Sequence, residues 1–240
     1  MLLYLAILLV KFNTLNKLVR VSHDLFFFLG GNFAAVIAGR FANNPLAEFN
    51  PRTQVLIYPA LQLFDFMLPS YMKSYVQLVH YKIDQVLTSY LSKDIDSSLY
   101  ANNHTSVEQK KKFRKYVDWS LIPAEFRTVY KQPIGDDREG DPTLIKNAAL
   151  ALSPEISPLL VSNQQLSKLP PTYILSVGHD PLRDESFIYA GRLKKNGVPV
   201  VHHHFPNTFH AAVNFLHGPL KLNIAETMIN DIVEYLKEKL

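Results

Sequence analysis

The sequence contains no cysteine, only one tryptophan and no internal repeat. The absence of cysteine excludes disulfide bonds, cysteine-based zinc sites and a cysteine nucleophile. A strong charge of one sign is also lacking, since 25 Lys and Arg face 21 Asp and Glu and leave a formal net charge of +4. The densest basic run, at 110–115, lies in no recognised nucleic-acid-binding fold. We therefore predict no nucleic-acid partner and interpret this run as a solvated helix face.

Long hydrophobic runs are scarce. Residues 1–10 are uncharged and apolar, but a segment that crosses a bilayer needs about 20 such residues. The run fits either a targeting remnant or a plain apolar element, because no basic region precedes it and no clear small-residue cleavage site follows. Asn103-His104-Thr105 is a glycosylation sequon, which matters only if the chain enters the secretory pathway.

The remaining composition is that of a globular protein, with 48% hydrophobic and 19% charged residues. Apolar, β-rich runs predict strands at 55–58, 172–178 and 198–205. Helically spaced apolar residues predict helices at 33–41, 184–196 and 223–240. This order predicts an α/β fold with a mainly parallel sheet. Residues 59–171 are too many for a single crossover helix, so we expect a helical cap over the sheet.

Two side chains suited to acid–base chemistry follow consecutive predicted strands. Asp180 comes after the 172–178 strand, and His210 lies in the loop after the 198–205 strand. Open α/β sheets place their chemistry at the carboxyl ends of the strands, so we expect the two residues to lie together. A carboxylate beside an imidazole is the arrangement that orients a general base.

Other residues compete for these roles. Asp184 is a second candidate acid, although its place beside Arg183 favours capping of the following helix. His202 and His204 share one face of a strand and suit a metal, but no carboxylate partner accompanies them. We therefore predict no metal site.

Short motifs spread over most of the chain form a recognisable set. They are Tyr58-Pro-Ala-Leu-Gln62, Pro69-Ser-Tyr71, Trp119-Ser120, Ser157-Pro-Leu-Leu160, Leu169-Pro-Pro-Thr-Tyr173, Asp180-Pro-Leu-Arg-Asp-Glu185 and Phe209-His210. Together they resemble the hormone-sensitive-lipase group of α/β-hydrolases, and within it arylacetamide deacetylase and its relatives. The similarity runs from about Gly30 to the C-terminus.

The resemblance implies an α/β-hydrolase fold in which Asp180 is the triad acid and His210 the general base. It implies hydrolysis of small-molecule or lipid esters and acyl amides, without a metal or organic cofactor. It also implies association with the endoplasmic reticulum membrane on the luminal side. In domain terms, 1–29 is an apolar segment of doubtful origin, and 30–240 is a partial hydrolase domain with a cap at about 65–168.

The nucleophile of this family is not found in its expected place. The family presents a serine in a Gly-Asp-Ser-Ala-Gly-Gly-Asn elbow, and aligning Gly30-Gly31-Asn32 with its end puts Phe28 at the serine position. Leu29, Gly30 and Gly31 then form the turn associated with the oxyanion hole. No other Gly-x-Ser-x-Gly occurs, and the nearby Ser22 has no glycine context. We expect the chain to be inactive as a hydrolase.

Three explanations fit this replacement. In the first, residues 1–29 are the translated end of an intron in a truncated gene product. Phenylalanine codons are rich in pyrimidines, so translation of the pyrimidine tract at an intron end would give the run Leu25-Phe-Phe-Phe-Leu29. The early strands of the fold would then be missing. Alternatively, the chain is a noncatalytic binding protein that keeps its pocket, or a structural or membrane-associated fragment. Sequencing the transcript across codons 26–29 separates the first explanation from the others.

Overall fold

A computed structural model describes residues 8–9, 29–47, 51–72, 101–130 and 138–239. Its strands are β1 (Leu8–Leu9), β2 (Thr53–Ile57), β3 (Thr172–His179) and β4 (Val200–Phe209). Its α-helices are α1 (Leu29–Asn43), α2 (Pro69–Met72), α3 (Val107–Phe113), α4 (Ala124–Arg127), α5 (Pro142–Asn147), α6 (Asn163–Leu166), α7 (Arg183–Lys195) and α8 (Asn223–Lys239). Short 3-10 helices lie at Arg114–Tyr116, Trp119–Leu121, Ala149–Leu152, Pro158–Leu160 and Ala212–Leu216.

The strands form one sheet in the order β1-β2-β3-β4. β1 runs antiparallel to β2, whereas β2, β3 and β4 run parallel to one another. In this register Val55 lies opposite Tyr173, and Tyr173 lies opposite Val201. The predicted α/β class with a mainly parallel sheet is confirmed.

Helices cover both faces of the sheet. On one face Leu56 and Ile174 pack in a core with residues of α1 and α7. On the other face Tyr173 packs with Met228 and Ile232 of α8. Successive strand residues point to opposite faces, so β3, which is buried from Thr172 to Gly178, contributes to both cores. This is a three-layer arrangement of helix, sheet and helix.

Helix α1 begins earlier than the sequence indicated. The helix was predicted at 33–41, opening on the glycines, but Gly30 and Gly31 lie within the first turn of α1. The predicted start of this helix is therefore too late. A β-carbon on Gly31 would lie 2.8 Å from the Cα atom of Pro59. Close packing of the helix on the residues after β2, and not turn geometry, requires glycine at this position.

Strand β4 is longer than predicted. The sequence placed its end at Phe205 and assigned residues 207–210 to a loop, but pairing continues until Phe209 faces His179. The register shifts between Val177 and His179, as at a β-bulge. Because the strand runs to Phe209, it places His210 directly at the end of the sheet.

The described parts of the insertion between β2 and β3 consist of short helices. The basic run at 110–115 was predicted to be solvated, and this is wrong for Lys110, which is 7% exposed. Its Nζ donates to the Arg138 carbonyl oxygen at 2.6 Å. Trp119 is buried, and its Nε1 donates to an Asp65 carboxylate oxygen at 3.0 Å. The limits of the cap, 65–168, stay a prediction.

Helix α8 docks on the sheet. Met228 and Ile232 are buried, whereas Val233 is 40% exposed. Tyr235 contributes instead, since its hydroxyl hydrogen-bonds to Thr53 Oγ1 at 2.6 Å. Among the helices in the described ranges, none has both the length and the apolar character that a membrane span requires. Apart from Leu8, Leu9 and Leu29, the 1–29 segment lies outside the described residues.

Candidate active site

Asp180 and His210 lie in contact at the carboxyl ends of β3 and β4. Asp180 Oδ2 is 2.9 Å from His210 Nδ1. The second carboxylate oxygen accepts the Leu182 N–H at 2.9 Å, which fixes the carboxylate plane. The Asp180 side chain is 1% exposed and the His210 side chain 15%. The structure thus brings together the two residues that the sequence nominated as acid and base.

The approach of β3 to β4 just before this pair depends on Gly178. A β-carbon on Gly178 would lie 1.9 Å from the Pro206 carbonyl oxygen. The position coincides with the shift of register between Val177 and His179. Beyond it, the His210 N–H donates to the His179 carbonyl oxygen at 3.3 Å. A glycine in the strand therefore allows the two chain ends to converge on the acid–base pair.

Tyr58 is a member of the site that sequence reasoning missed. It follows β2 directly, and its ring centroid lies 5.0 Å from that of His210, at 47° between the ring planes. Its hydroxyl lies 3.3 Å from Met228 Sδ. The available signal was its place at the carboxyl end of a predicted strand, the same sheet edge that carries Asp180 and His210.

Asp184, the competing acid, has other partners. Its Oδ1 accepts from Arg183 Nε at 2.8 Å, and its Oδ2 accepts from the Ser70 N–H at 2.7 Å. Burial raises the pKa of Asp184, while Arg183 opposes this effect. The predicted helix cap is wrong, because the cap position of α7 is Leu182. Asp184 instead ties α7 to the start of α2.

Glu185 is another buried carboxylate, and the sequence did not single it out. It accepts hydrogen bonds from the Leu61 N–H at 2.5 Å, the Gln62 N–H at 3.2 Å, Gln62 Nε2 at 3.0 Å and the Tyr71 hydroxyl at 2.6 Å. Burial raises the pKa of Glu185 to about 7 against the opposing effect of these donors. Glu185 thereby fastens the segment after Tyr58 to α7.

The start of α1 lies against the same segment. Asn32 is buried, and its Nδ2 donates to the carbonyl oxygens of Ala60 at 2.8 Å and Ile156 at 2.7 Å. The first backbone N–H groups of a helix have no partner within it, so Leu29 and Gly30 present donors there. Phe28, at the predicted nucleophile position, lies outside the described residues. Association of Leu29, Gly30 and Gly31 with an oxyanion hole stays a prediction.

His202 and His204 both lie within hydrogen-bond distance of one serine, and of no carboxylate among the described residues. Ser176 Oγ is 2.8 Å from His202 Nε2 and 2.9 Å from His204 Nδ1. Burial, followed by the neighbouring His204, lowers the pKa of His202 to about 3. Burial, followed by Arg183, lowers the pKa of His204 to about 4. Within the described ranges, His, Cys, Asp and Glu form no group of three or more suited to a metal.

The comparison with known proteins points to one fold. A family model for the alpha/beta hydrolase fold matches residues 137–214, which include both Asp180 and His210. A solved structure, a hyperthermophilic esterase from the archaeon Pyrobaculum calidifontis, superimposes with a TM-score of 0.50 at 25% sequence identity. The match covers 88% of this chain and 50% of the esterase.

Curated relatives agree with this assignment. The chain is 35% identical over 214 residues to arylacetamide deacetylase from Bos taurus, covering 86% of this chain and 52% of that protein. It is 34% identical over 224 residues to neutral cholesterol ester hydrolase 1 from Rattus norvegicus, covering 88% and 53%. The chain spans about half the length of the curated relatives it matches. The chain therefore has the α/β-hydrolase fold, and its sequence is similar to the hormone-sensitive-lipase group that includes arylacetamide deacetylase and its relatives.

Proposed function

We propose that Asp180 and His210 are the acid and base of a site built for ester or acyl-amide hydrolysis. The 2.9 Å contact between Asp180 Oδ2 and His210 Nδ1 carries this proposal. An ionised carboxylate only accepts hydrogen bonds, so the shared hydrogen belongs to Nδ1. Nε2 is then the nitrogen that exchanges a proton with the reacting group, as in serine hydrolases.

The proposed substrates are small-molecule or lipid esters and amides. This class follows from the names of two relatives, arylacetamide deacetylase and neutral cholesterol ester hydrolase 1. In this proposal, protein side chains perform the chemistry without a metal or organic cofactor.

We further propose that this chain does not turn over such substrates. Phe28 directly precedes α1, at the position where the family carries its serine, and a phenyl ring has no nucleophilic atom. Removal of the serine nucleophile lowers kcat by a factor on the order of 10⁶ in a serine protease. A comparable loss would leave no enzymatic ester hydrolysis above background.

A comparison of single-residue variants tests this proposal. We expect the purified chain to hydrolyse p-nitrophenyl butyrate no faster than the His210→Ala variant, and to resist labelling by a fluorophosphonate. His217→Ala, which changes an exposed histidine nearby, is the matched control. Faster hydrolysis by the unaltered chain than by His210→Ala, or labelling of a serine, contradicts inactivity. Saturable ester binding without hydrolysis supports the alternative, a noncatalytic binding protein.

We also propose that the chain resides on the luminal side of the endoplasmic reticulum, at the membrane. Asn103 lies exposed in a turn, where an attached glycan would extend into solvent. Expression in animal cells should therefore give a species whose mobility increases after endoglycosidase treatment. Asn103→Gln is the control and should migrate like the deglycosylated chain, since it leaves the buried Thr105 unchanged. Unchanged mobility after treatment, with the chain in the cytosolic fraction, contradicts this location.

A further inference from the structure

The backbone of Tyr58 has an uncommon conformation. Its φ angle is 49°, in the left-handed region that residues with a β-carbon seldom occupy. The Tyr58 N–H donates to the Leu175 carbonyl oxygen at 3.0 Å, which ties the residue to β3. Such conformations persist only where the surroundings enforce them, and they cluster at functional sites.

The residues after Tyr58 are held on two sides. On one side, α1 packs so closely on Pro59 that Gly31 has no room for a β-carbon. On the other side, the buried Glu185 of α7 accepts the Leu61 N–H at 2.5 Å. These contacts fix the direction in which the Tyr58 side chain leaves the backbone.

The Tyr58 side chain lies between α8 and His210. It is buried, with its hydroxyl 3.3 Å from Met228 Sδ and its ring centroid 5.0 Å from that of His210. Because the hydroxyl is directed at Met228, the ring and not the hydroxyl meets the imidazole. Tyr58 therefore acts on His210 through packing.

We propose that Tyr58 is a positioning residue, whose ring holds the His210 imidazole in the orientation that Asp180 requires. Asp180 restrains His210 through a hydrogen bond at Nδ1, and a hydrogen bond at one ring atom does not by itself fix the tilt of the imidazole plane. The ring of Tyr58 opposes this motion and excludes water from the Nδ1–H to Oδ2 bond. The importance of this role for chemistry rests on the proposed acid–base function, but the positioning itself does not.

Nitrogen NMR of ¹⁵N-histidine-labelled protein at neutral pH measures the positioning without any substrate. In the unaltered chain we expect a single Nδ1–H tautomer for His210 and slow exchange of that hydrogen with water. Tyr58→Gly removes the ring but suits the positive φ angle. It should shift the His210 nitrogen signals towards a mixture of tautomers and accelerate the exchange at least tenfold. Tyr58→Phe keeps the ring and should restore the original spectrum.

The matched control is Tyr235→Leu. Tyr235 belongs to the same buried cluster, and its ring lies 5.1 Å from that of Tyr173. Its replacement should lower the thermal midpoint while leaving the His210 signals unchanged. If Tyr58→Gly does not fold, Tyr58→Asn provides the same test, because asparagine tolerates positive φ angles.

Three results would each overturn the positioning role. One is a rapidly exchanging Nδ1 hydrogen in the unaltered chain. Another is a folded Tyr58→Gly or Tyr58→Asn protein whose His210 signals are unchanged. The third is an equal effect from Tyr235→Leu. Failure of the hydrolysis proposal alone would leave the NMR result as it stands, so the two hypotheses are tested separately.

Discussion

Replacement of Gly178 by alanine should destabilise the protein by about 3 kcal/mol or more. The new methyl group would lie 1.9 Å from the Pro206 carbonyl oxygen, 2.7 Å from the carbonyl carbon and 3.0 Å from the Cα atom. All three are backbone atoms of the neighbouring strand, so no side-chain rotation relieves the overlap. For a domain of this size, such a loss lowers the thermal midpoint by roughly 6 to 12 °C.

The same substitution should separate the acid from the base. Strands β3 and β4 carry Asp180 and His210 at their ends, and Gly178 lies two residues before Asp180. Forcing the strands apart there would lengthen the Asp180–His210 hydrogen bond. Thermal unfolding followed by circular dichroism gives the stability, and the exchange rate of the His210 Nδ1 hydrogen reports on the pair.

Gly39→Ala is the control for this experiment. Gly39 lies inside α1, and a β-carbon there would meet nothing within 4 Å. Alanine is favoured over glycine within a helix by about 0.5 to 1 kcal/mol, so this variant should be slightly more stable than the original chain. A Gly178→Ala protein as stable as Gly39→Ala would show that the strands do not approach as described.

Sequence patterns were sufficient to place the acid and base at one edge of a sheet. The strands before Asp180 and His210 are visible as apolar, β-rich runs, and parallel strands joined by a helix bring their carboxyl ends together. The direct contact between the two side chains is consistent with this rule. The prediction needed only the strand order, because the chemistry of this fold follows from where strands end.

The contribution of Tyr58 to the site could not be predicted from such sequence patterns. Its positive φ angle is enforced by contacts to Leu175, α1 and α7, which come from distant parts of the chain. A tyrosine followed by proline indicates a strand end, but it does not reveal a left-handed backbone. The same limitation applies to β4, whose extension to Phe209 depends on pairing across a bulge.

The burial of two charged side chains, Glu185 and Lys110, was also not predicted from the sequence, for a related reason. Glu185 and Lys110 belong to residue types that are almost always exposed unless paired. Both are buried here because backbone groups from other segments meet their charged atoms. Sequence spacing identifies the helix that carries each residue, but it does not identify partners more than twenty residues away.

Glu185→Gln should lower the free energy of unfolding by about 2 kcal/mol at pH 8, because the glutamine amide would place an N–H donor where an ionised carboxylate accepts hydrogen bonds from other donors. The carboxylate oxygens face the N–H groups of Leu61 and Gln62, the Gln62 side-chain amide and the Tyr71 hydroxyl. Gln62 keeps its orientation, since its Oε1 already accepts the N–H groups of Phe64 and Asp65 at 2.7 Å. Of the four donors, Tyr71 alone can reverse its hydrogen bond.

The stabilising effect of Glu185 should also depend on pH. Burial raises its pKa from 4.5 to about 7 in the folded protein, so the folded state binds the proton more tightly than the unfolded state. The stabilisation from this proton is fully present below pH 4.5 and is lost as the pH rises through 7. The difference in unfolding free energy between the original chain and Glu185→Gln should therefore shrink by roughly 2 to 3 kcal/mol from pH 5 to pH 8.

Urea unfolding of both proteins at pH 5 and pH 8 measures this difference directly. Taking the difference cancels the titration of His202, His204 and other groups that the two proteins share. Glu226→Gln, a change at the surface, should leave the unfolding midpoint unaltered at both pH values. A stability difference that stays constant with pH would mean that Glu185 is ionised throughout. In that case the four donors around it, rather than a bound proton, would compensate for its burial.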